Sequence, residues 1–137
     1  MSDEDGVAFW FYVSMSALPA GQVAAAVSDI VAVSEPRNSC HGLTGAFMVT
    51  GEHFTQYLEG PADGLARIRQ SIIVDPRHRA VLTIGEGPLG ERRFDRWSLV
   101  YSGADSAFEQ LVSWSRELRP ASAQVLLMEM LARFTSH

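Results

Sequence analysis

The sequence predicts an α+β fold: two helices on one face of a mixed five-stranded sheet, followed by a helical tail. Three observations carry this. The periodic segments run in the order β-α-β-β-α-β-β. The strand-like stretches are short and rich in β-branched and aromatic residues, and one of them alternates polar and apolar faces residue by residue. Glycine and proline fall between these segments, where the chain must turn. That element order favours helices gathered on one side of an antiparallel-rich sheet.

The first strand is "VAFWFYVS" (7–14), short and apolar enough to be buried on both faces. A helix follows over 19–34, with Val23, Val27, Ile30, Val31 and Ser34 at helical spacing and Pro19 in its first turn. Pro36 is expected to close it, leaving "RNSCHGLTG" (37–45) as a connector. Residues 43–49 and 53–59 form a hairpin around "TGEH" (50–53). In the second of these strands Phe54, Gln56 and Leu58 share one face, and His53, Thr55, Tyr57 and Glu59 the other. Leu65, Ile68, Ile72 and Ile73 mark the second helix, which runs from Pro61 to "DPRHR". "AVLTIGEG" and "DRWSLVYS" are the last strands, joined by the turn-rich "GEGPLGERRF". Beyond Gly103, Phe108, Leu111, Val112, Ser115 and Leu118 form a short amphipathic helix that ends at Pro120. Val125, Met128, Leu131 and Ala132 form another. The expected organisation is a domain over 1–103 and a two-helix appendage over 104–137, which either caps the open sheet face or mediates assembly.

The 137 residues are 47% apolar and 20% charged, the composition of an ordinary globular domain. A net charge of -5 without a basic run argues against nucleic-acid and anionic-membrane partners. No apolar run reaches the ~20 residues of a spanning helix. The single cysteine, Cys40, cannot form an internal disulfide, and the N-terminus lacks an export signal, so the cytoplasm is the expected location. There is no lysine, which excludes a Schiff base or a Walker lysine. His41, His53, His78 and His137 are scattered without ligand spacing, and no metal site is expected.

A glutamine between Phe54 and Leu58 on a core-facing strand needs partners, because an unpaired buried amide costs ~1–3 kcal/mol. If the helices cover that face, Tyr12, Ser14, Gln56 and Trp97 gather beneath them, with Asn38 able to add a second amide. This cluster is either a self-satisfied structural network or the lining of a slot for a planar polar ligand. An isoalloxazine ring suits such a slot, since its edge takes amides and its faces pack on aliphatic residues. Arg77 and His78 at the end of the second helix either meet a ligand phosphate or serve as helix-end residues.

Taken in order, "FYVS", "NSCHGLTG", "FTQYLEG", "DPRH" and "RRFDRW" closely resemble the motifs of the BLUF family of blue-light sensors that use flavin. The resemblance covers about residues 7–102. It implies a ferredoxin-like sheet with a non-covalent flavin, usually FAD with FMN as the alternative, held between the two helices. It further implies that Tyr12 is the photoactive tyrosine, Gln56 the switching glutamine, and Asn38 the amide on the flavin edge. Ser14, Arg77 and His78 would complete the cofactor contacts, and Trp97 and Leu99 would carry the output. Leu99 stands where the family commonly has methionine, a change that conserves volume and loses the polarizable sulfur. Pro36 also departs from the usual helix ending.

The resemblance implies a photoreceptor rather than an enzyme. Light would drive electron and proton transfer from Tyr12 and rearrange the hydrogen bonds of Gln56. The change would pass through the last strand and tail to an unidentified downstream protein, or through self-association as a homo-oligomer. Two other readings remain: a flavin-binding module without photochemistry, and a small acylphosphatase-like enzyme on the same fold.

Overall fold

The computed structural model describes residues 7–103, 110, 112–113, 117 and 120–135. Strand β1 (Val7–Ser16) leads through a 3-10 turn (Ala20–Gln22) into helix α1 (Val23–Cys40). Strands β2 (Thr44–Thr50) and β3 (His53–Pro61) follow, then helix α2 (Ala62–Ile73), strands β4 (His78–Pro88) and β5 (Trp97–Gly103), and helix α3 (Pro120–Thr135). The sheet order is β4-β1-β3-β2-β5. β3 runs antiparallel to both β1 and β2, β4 is antiparallel to β1, and β5 lies parallel to β2. This is the ferredoxin-like split β-α-β arrangement extended by one parallel edge strand.

Both faces of the sheet are covered. Val23 and Val27 of α1 and Leu65, Ile68 and Ile72 of α2 pack on Trp10, Phe47, Phe54 and Leu58. On the opposite face Ala123, Leu127 and Leu131 of α3 pack on Phe11, Val13, Met48 and Tyr57. Each fully buried leucine contributes about 1.5–3 kcal/mol, so the tail helix is held by its apolar stripe. Its inner face differs from the expected one, because Val125 (61% exposed) and Ala132 face outward, Ala123 and Leu127 take inward positions, and only Leu131 and, in part, Met128 lie as expected. Of the expected helix before it, Val112 is buried in this same layer, whereas Phe108, Leu111, Ser115 and Leu118 lie outside the described residues.

The alternation read in β3 holds, yet every residue from His53 to Gly60 is buried, since helices cover one face and α3 the other. Thr50 pairs with His53 across a two-residue turn, with Gly51 at φ 59° in the first central position, as a type II′ hairpin requires.

The expectation that Pro36 ends the first helix is overturned. α1 continues to Cys40 with Pro36 inside it. Proline removes one backbone bond and crowds the preceding turn, at a cost of roughly 3 kcal/mol, but burial of Val23 and Val27 on the inner face of α1 and a firm C-terminal cap offset it. The amide of Leu43 donates to the Asn38 carbonyl (2.8 Å) and that of Gly42 to the Ser39 carbonyl (3.0 Å). Gly42 sits at φ 71°, completing a Schellman ending. The second half likewise shifts: His78 opens β4 instead of closing α2, and β4 extends to Pro88, which shortens the connector before β5.

Candidate functional site

Strand register assembles the centre of the site. Tyr12 lies opposite Gln56 in the β1–β3 pair, Phe47 opposite Gln56 in the β2–β3 pair, and Gly45 opposite Trp97 in the β2–β5 pair. The indole Nε1–H of Trp97 donates to Gln56 Oε1 (2.8 Å), and Gln56 Nε2 donates to the Tyr12 hydroxyl oxygen (2.6 Å). An indole nitrogen can only donate, so Trp97 fixes which end of the amide faces it. The Tyr12 oxygen therefore accepts from Gln56, and its own O–H remains free to point elsewhere.

Burial pushes the Tyr12 phenol well above its ordinary value, an effect the Gln56 hydrogen bond partly opposes. Tyr12 thus keeps its proton at neutral pH.

Tyr12 and Gln56 form the floor of a cleft between α1 and α2. Its walls mix apolar and polar groups, the apolar ones being Ile30 and Val33 from α1, Ile72 from α2, and Phe47 and Phe54 from the sheet. Arg37, Asp75, Arg77 and His78 also line it. Ile30, Ser34 and Arg37 follow one another at i, i+4, i+7, one face of α1. Arg37 is not among the site residues expected from the sequence, because Pro36 would put it in a connector. Once the helix runs on, its spacing places it in the wall.

The remaining expected residues divide. His78 Nε2 meets the Ile72 carbonyl (2.6 Å), and a carbonyl only accepts, so Nε2 carries a proton. In the neutral ring Nδ1 is then the acceptor for the Ser14 hydroxyl (2.7 Å). Both nitrogens are engaged, and His78 offers the cleft its ring. Ser14 does not line the cleft and acts on it through His78. Arg77 is paired with Asp75, Nε to Oδ1 at 3.0 Å and Nη2 to Oδ2 at 2.5 Å, which closes the turn into β4. That guanidinium holds the Asp75 carboxyl below its ordinary value, so Arg77 is largely neutralised locally. Leu99 packs on the inner core at partial burial, opposite Phe47.

Asn38 is fully buried and does not line the cleft, yet neither its Oδ1 nor its Nδ2 has a hydrogen-bond partner. An orphaned amide costs on the order of 1–3 kcal/mol for each unpaired group, and the neighbouring Arg37 also has an unpartnered Nε. Aliphatic and aromatic side chains on the walls beside polar ones, a floor with an amide and a phenol, and these unspent polar groups fit a flat ring with a polar edge. They fit a flavin.

Residues 7–100 match the family model for sensors of blue-light using FAD. This chain belongs to the BLUF family.

Among curated BLUF relatives is the photoactivated adenylate cyclase subunit beta of Euglena longa, 29% identical over 126 residues. The match covers 91% of this chain and only 13% of that protein. Of solved structures, the dark state of the BLUF protein BlrB is 31% identical with a TM-score of 0.65, over 72% of this chain and 74% of that one. The photo-activated state of BlsA shares the fold at a TM-score of 0.76 and 21% identity, over 91% of this chain and 94% of that one. Among the described residues no helix is long and apolar enough to cross a membrane.

Proposed function

We propose that this BLUF chain is a photoreceptor that binds oxidised flavin non-covalently between α1 and α2, with FAD the expected form and FMN the alternative. The observation that carries the reading is the Trp97–Gln56–Tyr12 hydrogen-bond chain at the floor of the cleft. When bound, the flavin supplies an excited state that accepts an electron. Tyr12 is the donor, because its phenol is protonated, buried and open to the cleft. Its O–H is not committed to Gln56, so the proton would follow the electron to the ligand that accepted it. Gln56 is the switch. Its two ends differ, and a change in what Tyr12 donates or accepts favours a different arrangement of the amide. One or two hydrogen bonds at ~1 kcal/mol each suffice for a modest population shift.

Arg37 would meet the polar edge of the ring, Asn38 would reach that edge only with a shift of the α1 wall that opens the cleft to it, and His78, held by Ser14, would pack against the ring. Arg77 would reach the ligand's chain only by loosening its pair with Asp75. Output would pass from Gln56 through Trp97 and Leu99 of β5 to the tail, which is the appendage of a sensor domain spanning 1–103. From there it would reach a downstream protein or a second copy of the chain.

Tyr12→Phe is the test. The variant is expected to retain flavin, seen as a yellow protein, and to lose the light-induced spectral shift. An unaltered shift overturns the assignment of Tyr12. A wild-type protein that holds flavin without any shift reduces the function to flavin binding alone.

A further inference from the structure

Trp10 stands directly behind Tyr12 and takes no part in the site described so far. It is fully buried, and its ring stacks on Tyr12 with centroids 4.4 Å apart and planes at 24°. Tyr12 lines the cleft and Trp10 does not, so the indole is one ring further from any ligand there. Its Nε1–H donates to Thr83 Oγ1 (3.0 Å). The Arg69 guanidinium lies over its ring at 4.7 Å from the centroid and is itself paired with Glu86 at 2.5 Å. Indole and phenol are the side chains most readily oxidised by one electron, and here they are in van der Waals contact.

We propose that Trp10 is an electron relay behind Tyr12. The inference rests on the photosensor reading, and the oxidant is the photoexcited oxidised flavin. Tyr12 would give one electron to it. Trp10 then passes one electron across the stacked rings to the Tyr12 radical cation. The flavin has gained one electron, Trp10 has lost one, and Tyr12 is again a closed-shell phenol. No proton moves, because Nε1–H faces the Thr83 hydroxyl, which is not a base at neutral pH. Return of the electron from the flavin to Trp10 restores every group.

The relay competes with loss of the Tyr12 proton. A phenol radical cation that still carries its proton oxidises indole. After deprotonation that driving force is gone. Each relayed excitation therefore ends without rearranging Gln56, and Trp10 lowers the yield of the light-shifted state. Arg69 opposes positive charge on the indole and restrains the relay, with Glu86 moderating that restraint.

Transient absorption on the flavin-loaded protein tests this through the indole radical band. The band is expected in wild type, lost in Trp10→Phe, retained in Trp97→Phe and larger in Arg69→Gln. Trp10→Phe should also form more light-shifted state per absorbed photon. A band that survives Trp10→Phe, or is absent from wild type, overturns the relay while a normal spectral shift leaves the photosensor reading intact. Absence of any light-induced shift in wild type sinks that reading instead. Should Trp10→Phe fail to hold flavin, the Arg69→Gln variant decides, and an indole band unchanged from wild type refutes the proposal.

Discussion

Replacing Trp97 with phenylalanine removes the one donor that dictates how the Gln56 amide is turned. In the native arrangement Oε1 accepts from Trp97 and Nε2 donates to Tyr12. Turning the amide over keeps a bond to Tyr12, whose hydroxyl can donate to Oε1 instead. It loses the bond to Trp97, worth ~1 kcal/mol, and strands a buried indole N–H at a further ~1–3 kcal/mol. The total of about 2–4 kcal/mol holds the turned form to between roughly 4% and 0.1% of the population. In Trp97→Phe both penalties vanish and the two orientations become comparable. Side-chain amide NMR of Gln56 in darkness reads this directly. Wild type should give one pair of resonances, and the variant two pairs or one broadened by exchange. A single sharp pair at the wild-type shifts would show that something other than Trp97 orients the amide.

Glu59 offers a second, independent perturbation. It is fully buried on the α3 face and accepts from Thr44 Oγ1, the Tyr57 hydroxyl, and the amides of Arg93 and Phe94. Glu59→Gln weakens these charge-assisted bonds and turns an acceptor into a donor, so a loss of about 2–4 kcal/mol in urea unfolding is expected. Ala80 holds φ 56° at the irregular β1–β4 pairing, and Ala80→Gly should raise stability by up to about 1 kcal/mol, read as a higher urea midpoint. Burial raises Tyr12, and burial with the Glu59 charge raises Tyr57, both from an ordinary value of 10.0. A raised folded-state value makes their contribution constant below about pH 10 and lost as pH climbs through the folded values. Tyrosinate absorbance from these two should accordingly lag until the protein unfolds, whereas early ionisation of both would contradict their burial.

Much of this was legible in the chain. Two-residue alternation placed Phe54, Gln56 and Leu58 beneath the helices, and the same rule put Trp10, Tyr12 and Ser14 on one face of β1. Local rules failed where tertiary contacts outweigh them. Pro36 reads as a stop, but a single missing bond is outweighed by the cap at Gly42 and the burial of Val23 and Val27, which leaves Arg37 on the helix and not in a connector. Glu59 was seen only as a strand position, because its partners Arg93 and Phe94 are far along the sequence. The Arg77–Asp75 pair was available in "DPRH" as a charge two residues away, yet only the turn geometry brings the groups into a fork. Ser14 and His78 were both named, while the bond between them depends on where β4 begins, the boundary that periodicity locates least well.

The stretch from Pro36 to Gly42 carries a consequence for sequence variation. Its helical phase is fixed at one end by the packed inner face of α1 and at the other by a left-handed glycine. Insertion or deletion of one residue there would turn Asn38 by ~100° about the helix axis, away from the interior it now faces. Side chains in this segment can therefore change more freely than its length, and aligned relatives should show substitutions there but no gaps.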